Sequence, residues 1–246
     1  MSGLKGKVAL VTGGSRGMGA EIARRLAHDG ADVALTYVNG ADKARAVVAD
    51  IERTGRRGLA IAADNADPAA VTTAVAKTVG ALRRLDILVN NAGIFVAKPL
   101  DELTLDDFDT MVAVNVRAAF VATKAAAVHM GDGGRVISIG SNLAERAPSP
   151  GLSLYSLSKA ALVGFTKGAA RDLGPRGITV NVVHPGSTDT DMNPADGAHA
   201  DAQRARMAIP RFGEPRNIAS LVAWLASADG RFVTGAGFLI DGGANA

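Results

Sequence analysis

Tyr155 and Lys159 stand four residues apart in the segment YSLSKAALVGF, and Tyr155 is one of only two tyrosines in the chain. On a helix their side chains lie on one face, one turn apart, with Cβ atoms roughly 5–6 Å from each other. An ammonium beside a phenol stabilises the phenolate and lowers the phenol pKa. A shift of about 3 units from the usual value of about 10 needs roughly 4 kcal/mol. The pair therefore predicts an acid–base tyrosine tuned by Lys159.

A glycine-rich segment, TGGSRGMG, spans residues 12–19 directly after a short apolar run. Glycines between a strand and a helix allow the backbone to approach a pyrophosphate, and the helix N-terminus supplies free N–H groups and partial positive charge. The spacing G-x-x-x-G-x-G differs from the usual dinucleotide fingerprint. We expect cofactor contacts from Gly13, Ser15, Arg16, Gly17, Met18 and Gly19.

The end of the second strand indicates which nicotinamide cofactor is bound. NAD-dependent enzymes usually carry an acid there for the ribose hydroxyl, but this segment reads TYVN (36–39) and has none. Arg16, inside the glycine loop, can pair with a 2′-phosphate. Tyr37 and Asn39 are further candidates for the phosphate and ribose. The sequence predicts NADP(H) in preference to NAD(H).

Two other motifs suggest competing functions. Residues 13–17 also read G-x-S-x-G, as in a hydrolase nucleophile elbow, but an elbow follows a mid-sheet strand and this one follows the first. The histidines downstream, His184 and His199, have no distinctive sequence setting. Residues 189–193 read DTDMN and lack the glycine and distal glutamate of a calcium loop. We predict neither a hydrolase nor a metal site.

Composition excludes several classes of protein. The 246 residues are 48% hydrophobic and 21% charged, as in folded proteins with a sizeable core, and cysteine is absent. The net charge of +3 comes from scattered basic residues, which disfavours nucleic acid as a partner. The segment MSGLKGKVALVTG enters a strand-like run without a leader-like or membrane-spanning stretch. We expect a cytoplasmic protein without a membrane partner.

Seven short, nearly continuously apolar runs alternate with longer helical stretches. Such runs are typical of parallel strands covered on both faces. The sequence predicts an α/β fold, a doubly wound parallel sheet of about seven strands with helices on both faces, in one domain over residues 1–246. The runs are 7–13, 32–37, 59–64, 86–93, 135–141, 178–186 and 237–243.

Two helical stretches, 111–128 and 155–170, carry only two charged residues each. Helices that are apolar nearly all round are buried on several sides. We expect these two to pack against a second subunit as well as their own sheet, which predicts a homotetramer or a homodimer.

Together with the segment NNAG (90–93), Asn115 and Ser141, the glycine loop and the Tyr155–Lys159 pair resemble the short-chain dehydrogenase/reductase family. The resemblance covers essentially the whole chain and implies a Rossmann-type fold. Within the family the chain is most similar to the NADPH-dependent 3-oxoacyl-(acyl carrier protein) reductases and related ketone reductases. The segments that carry this are TGGSRGMG, VNNAG, RGITVNVVHPG and FVTGAGFLIDGG.

The resemblance assigns roles to four catalytic residues. Tyr155 would donate the proton to the carbonyl oxygen, and Ser141 would hold that oxygen. Lys159 would bind the nicotinamide ribose and, with the oxidised cofactor ring, lower the pKa of Tyr155, while Asn115 would join a proton relay. The family's serine usually stands one position closer to the tyrosine than Ser141 does. In this chain Asn142 occupies that usual position. Aligning the strand VISIGS keeps Ser141 and places an insertion in the following loop.

The resemblance also implies further cofactor contacts and a mobile substrate flap over residues 188–213. The family often has Ile or Val where Thr188 stands. The expected contacts are Asp64, Asn65, Asn91, Ala92, Gly93, Tyr155, Lys159, Pro185, Gly186, Thr188 and Thr190.

The predicted function is hydride transfer between NADP(H) and a ketone or secondary alcohol, with a 3-oxoacyl thioester or a small ketone as substrate. The alternatives are an NAD-dependent secondary alcohol dehydrogenase and a non-catalytic regulator that binds a dinucleotide. A reductase of acidic carrier proteins should have basic residues near the crevice. Arg135 and Arg176 are candidates, whereas Asp132 argues against a carrier protein.

Overall fold

The computed structural model describes residues 3–246 and contains a seven-stranded parallel sheet with the order β3-β2-β1-β4-β5-β6-β7. The strands are β1 Val8–Val11, β2 Asp32–Tyr37, β3 Gly58–Ala62, β4 Ile87–Asn90, β5 Arg135–Ile139, β6 Thr179–Pro185 and β7 Gly237–Ile240. The predicted α/β sheet is confirmed, and each strand lies within or overlaps its predicted run. The first strand begins at residue 8 and the last ends at residue 240, so one sheet includes nearly the whole chain. That the chain forms a single domain over residues 1–246 stays a prediction.

Helices connect the strands. They are α1 Gly17–His28, α2 Ala41–Arg53, α3 Pro68–Leu82, α4 Leu105–Val112, α5 Ala118–His129, α6 Ser153–Leu173, α7 Ala200–Arg204 and α8 Pro215–Ala226. Several begin at local sequence signals. The Asp67 side chain accepts from the Ala69 amide at the start of α3, next to Pro68. Thr104 and Asp107 form a reciprocal capping box at the start of α4.

A π-helical turn over Ala113–Arg117 joins α4 to α5, so residues 105–129 form one long helix. By length and hydropathy this helix could cross a membrane. However, its face with Ala118, Ala122 and Ala126 packs into the core beside α3 and the sheet. Burial of that face explains its apolar composition without a membrane. The π-turn carries Asn115 on its inner side.

Apolar clusters cover both faces of the sheet, as the continuous strand runs predict. On one face, α1 and α8 pack together through residues such as Ile22, Leu26 and Val222. On the other, Val75 of α3 and Ala122 of α5 meet the side chains of β1, β4 and β5. These two layers fix the directions of the strands and hence the loops at their ends.

The order of strands reverses between β1 and β4. The connections from β1 run towards β2 and β3, whereas those from β4 run the other way towards β7. Open α/β sheets bind ligands at such a switch point, outside the carboxyl ends of the strands. The glycine loop after β1 and the segment 90–93 after β4 lie there, so the predicted cofactor residues occupy the expected crevice.

Candidate active site

The glycine loop is shaped by close backbone contacts. Gly13 has a φ of +64°, and a Cβ there would lie 2.9 Å from the Cα of Ala92. A Cβ at Gly19 would collide with the Asn91 amide and the Gly13 carbonyl. No side chain caps α1, which leaves the first-turn N–H groups free for an anion. The cradle therefore suits a pyrophosphate, as a dinucleotide cofactor requires.

Thr12 and Asn91 tie the glycine loop to the segment after β4. The Thr12 hydroxyl accepts from the amides of Asn91 and Ala92 at 3.0 and 3.1 Å. The Asn91 side chain donates to the carbonyls of Thr12 and Gly13 at 2.9 and 3.1 Å. Asn91, predicted to contact the cofactor, thus uses its amide nitrogen to hold the cradle closed. Thr12 was missed because a threonine at a strand end has no special signal.

Two cations converge beside the cradle. Nη1 of Arg16 lies 3.9 Å from Oδ2 of Asp191, and Nζ of Lys43 lies 3.2 Å from the same oxygen. All three side chains are more than half exposed. Lys43 sits in the first turn of α2, directly after the β2 end that lacks an acid. A pair of cations at this place suits a 2′-phosphate, and sequence reasoning found only Arg16.

The other predicted adenine-side residues lie at the carboxyl ends of β2 and β3. Tyr37 packs its ring against the core, and Asn39 is exposed. Asp64 accepts from the Ala66 amide at 2.8 Å, whereas Asn65 is buried.

Tyr155 and Lys159 lie one turn apart near the start of α6, as predicted. Nζ of Lys159 is 5.7 Å from the centroid of the Tyr155 ring and donates to the Ile139 carbonyl at 3.0 Å. The Phe95 ring meets Tyr155 edge to face, with 4.8 Å between centroids. Phe95 was missed because a lone aromatic in a loop carries no chemical signal.

The predicted lowering of the Tyr155 pKa by Lys159 is not produced by the protein's own groups. Burial raises the pKa of Tyr155 to about 12, and a hydrogen bond with Ser141 opposes this only in part. Burial also lowers the pKa of Lys159 to about 8. The expectation overlooked desolvation, which disfavours both charged forms. The ammonium donates its hydrogen bond to the Ile139 carbonyl.

Ser141 lies just beyond β5 and begins a 3-10 turn over Asn142–Ala144. Its Oγ accepts from the Leu143 amide at 3.2 Å and interacts with Tyr155. The competing residue, Asn142, instead donates to Asn245 at 3.2 Å. Asn245 returns a hydrogen bond to the Asn142 carbonyl at 2.8 Å. The loop geometry therefore directs Ser141 towards Tyr155 and ties Asn142 to the C-terminal segment.

Asn115 projects from the π-turn towards the same place. Its Oδ1 accepts from the Ile94 amide at 2.9 Å, and its Nδ2 donates to the Ile94 carbonyl at 3.0 Å. A Cβ on Gly93 would lie 3.2 Å from that Oδ1 and 3.4 Å from Nζ of Lys159. Gly93 thus allows Asn115 and Lys159 to approach each other.

The segment after β6 leads into the predicted flap, 188–213. The Thr188 hydroxyl donates to the Gly186 carbonyl at 3.1 Å, beside the buried Pro185. Reciprocal backbone bonds of 2.9 Å, from Asp189 to Gly213 and from Gly213 to Ser187, join the two ends of the flap. The methyl of Thr190 would lie 3.5 Å from a Cβ on Gly17. The flap therefore begins against the glycine loop.

A cavity of about 630 Å³ opens between Ser141, Tyr155 and the flap. Its apolar wall includes Phe95, Leu143 and Met192. The charged residues that line it are Arg146 and Arg206, both exposed, and it has no carboxylate lining among the described residues. Such a pocket suits a carbonyl compound that is neutral or negatively charged.

The candidate carrier-protein contacts are elsewhere. Arg135 begins β5, so it lies about 20 Å from the Ser141 end at roughly 3.3 Å per residue. Arg176 donates to the Ala127 carbonyl, and Asp132 lies in the turn before β5. These residues lie at the amino-terminal ends of the strands, whereas the crevice lies at the carboxyl ends. The expectation that they border the crevice was therefore wrong.

The chain matches the family described as enoyl-(acyl carrier protein) reductase over residues 13–245. It is 65% identical to a short-chain dehydrogenase from Burkholderia cenocepacia whose crystal structure is a complex with NADP. The alignment covers 99% of this chain and 100% of that one, with a TM-score of 0.98. A blue fluorescent protein from a metagenomic library, in complex with NADPH, is 58% identical, with the same coverage and TM-score.

A cyclic-di-GMP-binding biofilm dispersal mediator protein from Escherichia coli is 47% identical over 98% of both chains. Similarity to these proteins extends over nearly the whole length, and it includes the sheet, the glycine cradle and the flap. The chain belongs to the short-chain dehydrogenase/reductase family.

Proposed function

We propose that this protein is an NADPH-dependent reductase that converts a ketone into a secondary alcohol. When bound, NADPH supplies the hydride. The glycine cradle and the first turn of α1 hold the pyrophosphate, and Arg16 with Lys43 holds the 2′-phosphate. The NADP and NADPH complexes of similar proteins support this choice of cofactor. The observation that carries the proposal is that Ser141 and Tyr155 meet at the wall of one cavity, with Lys159 buried behind the Tyr155 ring.

Tyr155 is the general acid. Since burial raises its pKa to about 12, the phenol is protonated at neutral pH and has a proton to give. An alkoxide is a much stronger base than a phenolate, so the oxygen that forms on hydride arrival takes this proton. In the reverse direction, alcohol oxidation, the same group would act as the base.

Ser141 orients the carbonyl oxygen. Its Oγ already accepts from the Leu143 amide, which leaves the hydroxyl hydrogen to donate into the cavity. Lys159 would hold the ribose hydroxyls and, together with the oxidised cofactor ring, stabilise the phenolate left on Tyr155. Asn115 keeps the Gly93–Ile94 segment against Lys159, next to the path by which a proton returns.

The pocket restricts the substrate class. Its apolar wall suits an acyl chain or a ring, and Arg146 and Arg206 suit negative charge at its rim. A small ketone and a 3-oxoacyl thioester both match this lining. We propose these two classes as substrates.

The test is NADPH oxidation with acetoacetyl thioesters and with cyclic ketones, using the wild type and Tyr155→Phe. We expect turnover by the wild type on at least one class, and a loss of about 10²–10⁴ in the variant. NADPH affinity should change less than about twofold, because the phenol does not hold the phosphates. Full activity of Tyr155→Phe would refute the assigned role.

A second candidate is a regulator that binds a cyclic dinucleotide, favoured by the 47% identity to the cyclic-di-GMP-binding protein. A crevice built for two phosphates, with Arg16 and Lys43 beside it, offers suitable chemistry. Titration of the protein with cyclic di-GMP, with and without saturating NADPH, tests this. Binding that NADPH displaces, together with no turnover on any carbonyl, would favour the regulator.

We also propose a homo-oligomer, a tetramer or a dimer, assembled through the long helices. Leu105, Phe120, Val128 and Leu157 are all about half exposed or more, and Phe120 meets Phe165 of α6 across the helix pair. Exposed large apolar side chains on these helices support a protein–protein contact there. Light scattering on Phe120→Asp should report smaller particles than the wild type. A cytoplasmic location stays a prediction.

A further inference from the structure

His184 occupies an unusual place beside the site. It lies at the carboxyl end of β6 and is only 1% exposed. Its ring fills space that neighbouring strands leave open. A Cβ on Gly140 would lie 2.5 Å from Nδ1, and a Cβ on Gly237 would lie 3.1 Å from Nε2. Glycine on either side therefore makes room for the imidazole.

The two nitrogens of this ring have different surroundings. Nδ1 is 3.0 Å from the carbonyl oxygen of Ser141 and 3.3 Å from its amide nitrogen. Nε2 is buried and has no hydrogen-bond partner. An unprotonated Nδ1 accepts from the Ser141 amide, and a protonated Nδ1 donates to the Ser141 carbonyl. In either tautomer Nδ1 is hydrogen-bonded to the Ser141 backbone.

The imidazole is also neutral at neutral pH. Burial lowers the pKa of His184, while the Ser141 backbone and Glu145 only oppose this shift in part. A neutral ring keeps the hydrogen bond between Nδ1 and the Ser141 backbone. It does not depend on solvent, because the whole side chain is enclosed.

Ser141 is held from two sides. His184 binds its backbone, and the Leu143 amide binds its Oγ. These contacts hold the Ser141 hydroxyl where it forms a hydrogen bond with Tyr155 at the cavity. A misplacement of about 1 Å in a group that orients the substrate can cost on the order of 10²-fold in rate.

We propose that His184 is a positioning residue, whose Nδ1 holds the Ser141 backbone by a hydrogen bond and thereby aims the Ser141 hydroxyl at the substrate carbonyl. This inference rests on the proposed function of Ser141. It gives a role to a histidine that makes no contact with the reacting atoms.

Two variants separate hydrogen bonding from packing. His184→Asn keeps an amide donor near the Nδ1 position, whereas His184→Leu fills the space without a donor. We expect kcat for the ketone to fall roughly 10- to 100-fold in His184→Leu, while His184→Asn recovers most of it. The KM for NADPH should stay within about twofold in both. An equal loss in the two variants, or no loss in His184→Leu, would overturn the proposal.

A double-mutant cycle with Ser141→Ala tests the route of the effect. If His184 acts through Ser141, His184→Leu should slow the Ser141→Ala enzyme less than about twofold. If the loss of kcat in the double mutant equals the product of the two single-mutant losses, His184 acts independently of Ser141. That result would overturn the proposal. If Ser141→Ala alone is fully active, the proposed function of Ser141 fails, and the role of His184 fails with it.

Thermal unfolding of each variant checks that the compared proteins are folded. Should His184→Leu fail to fold, His184→Gln replaces it, because its amide reaches the Nε2 position and leaves no donor at Nδ1. The same loss of kcat is expected from His184→Gln. Wild-type kcat in that variant would contradict the proposal.

Discussion

Lys159 donates a hydrogen bond from its buried ammonium to the carbonyl oxygen of Ile139, 3.0 Å away at the end of β5. The contact satisfies one of three donors, and burial still lowers the pKa of Lys159 to about 8. The protein therefore holds a charge beside Tyr155 at a cost in stability. Such costs are common where function sets the residue.

The first prediction concerns that cost. Lys159→Met should raise the free energy of unfolding at neutral pH by up to about 3 kcal/mol. This is the free energy that corresponds to lowering the pKa of Lys159 from 10.5 to about 8. Below pH 8 the lysine is charged in both states and the penalty is full. Between about pH 8 and 10.5 the native lysine becomes neutral first, so wild-type stability rises and the difference closes.

Urea unfolding of both proteins from neutral pH to pH 10 measures this. The matched control is Lys167→Met, which changes an exposed lysine of the same helix. The control should show no comparable pH dependence. A difference between wild type and Lys159→Met that stays constant with pH would contradict the prediction.

The second prediction concerns cofactor choice. Arg16→Ala and Lys43→Ala should each weaken NADPH binding several-fold to about 100-fold, because hydrogen bonds to charged groups contribute roughly 1.5–3 kcal/mol. NADH lacks the 2′-phosphate, so its affinity should change little. Fluorescence titration with both cofactors measures the ratio. Equal losses for NADPH and NADH would mean that these residues do not read the phosphate.

The third prediction concerns the flap carboxylate that contacts both cations. Asp191 competes with a 2′-phosphate for Arg16 and Lys43. Asp191→Asn should therefore strengthen NADPH binding up to about fivefold, since exposed ion pairs are worth roughly 0.2–1 kcal/mol. NADH binding should stay the same. Asp196→Asn changes another flap carboxylate and is the control. An unchanged or weaker NADPH affinity in Asp191→Asn would contradict the competition.

The fourth prediction compares two helical glycines. Gly19→Ala should destabilise the protein by roughly 1–3 kcal/mol and weaken NADPH binding, because its Cβ collides with Asn91 and Gly13 in the cradle. Gly80→Ala, at an exposed position of α3 with nothing within 4 Å, should stabilise the protein by about 0.5–1 kcal/mol. Thermal unfolding and NADPH titration measure both. Similar effects of the two changes would show that the cradle tolerates a side chain.

Features carried by neighbouring residues could be read from the sequence. The Tyr155–Lys159 pair needs only one helical turn, and the glycine loop needs only a strand followed by a helix. The strands were readable because continuous burial leaves apolar runs. The prediction that Arg135 and Arg176 lie near the crevice was wrong. Their distance from it depends on which ends of the strands border the crevice.

Other features involve residues far apart in the chain. The role proposed for Lys43 depends on its position near Arg16 and Asp191, and Asp191 lies 148 positions away in the sequence. His184 had no distinctive setting in the sequence, and its role rests on contact with Ser141, 43 positions earlier. No local pattern encodes such pairs.

The amino-acid sequence by itself determined the parallel sheet and predicted the glycine loop and the Tyr155–Lys159 pair, since each follows from residue type and short-range spacing. The tertiary structure decided the direction of the pKa shifts at Tyr155 and Lys159, the partner of Lys159 and the surroundings of His184. The reason is physical. Desolvation and long-range hydrogen bonds depend on what the folded chain places around a group, and neighbours in sequence do not report it.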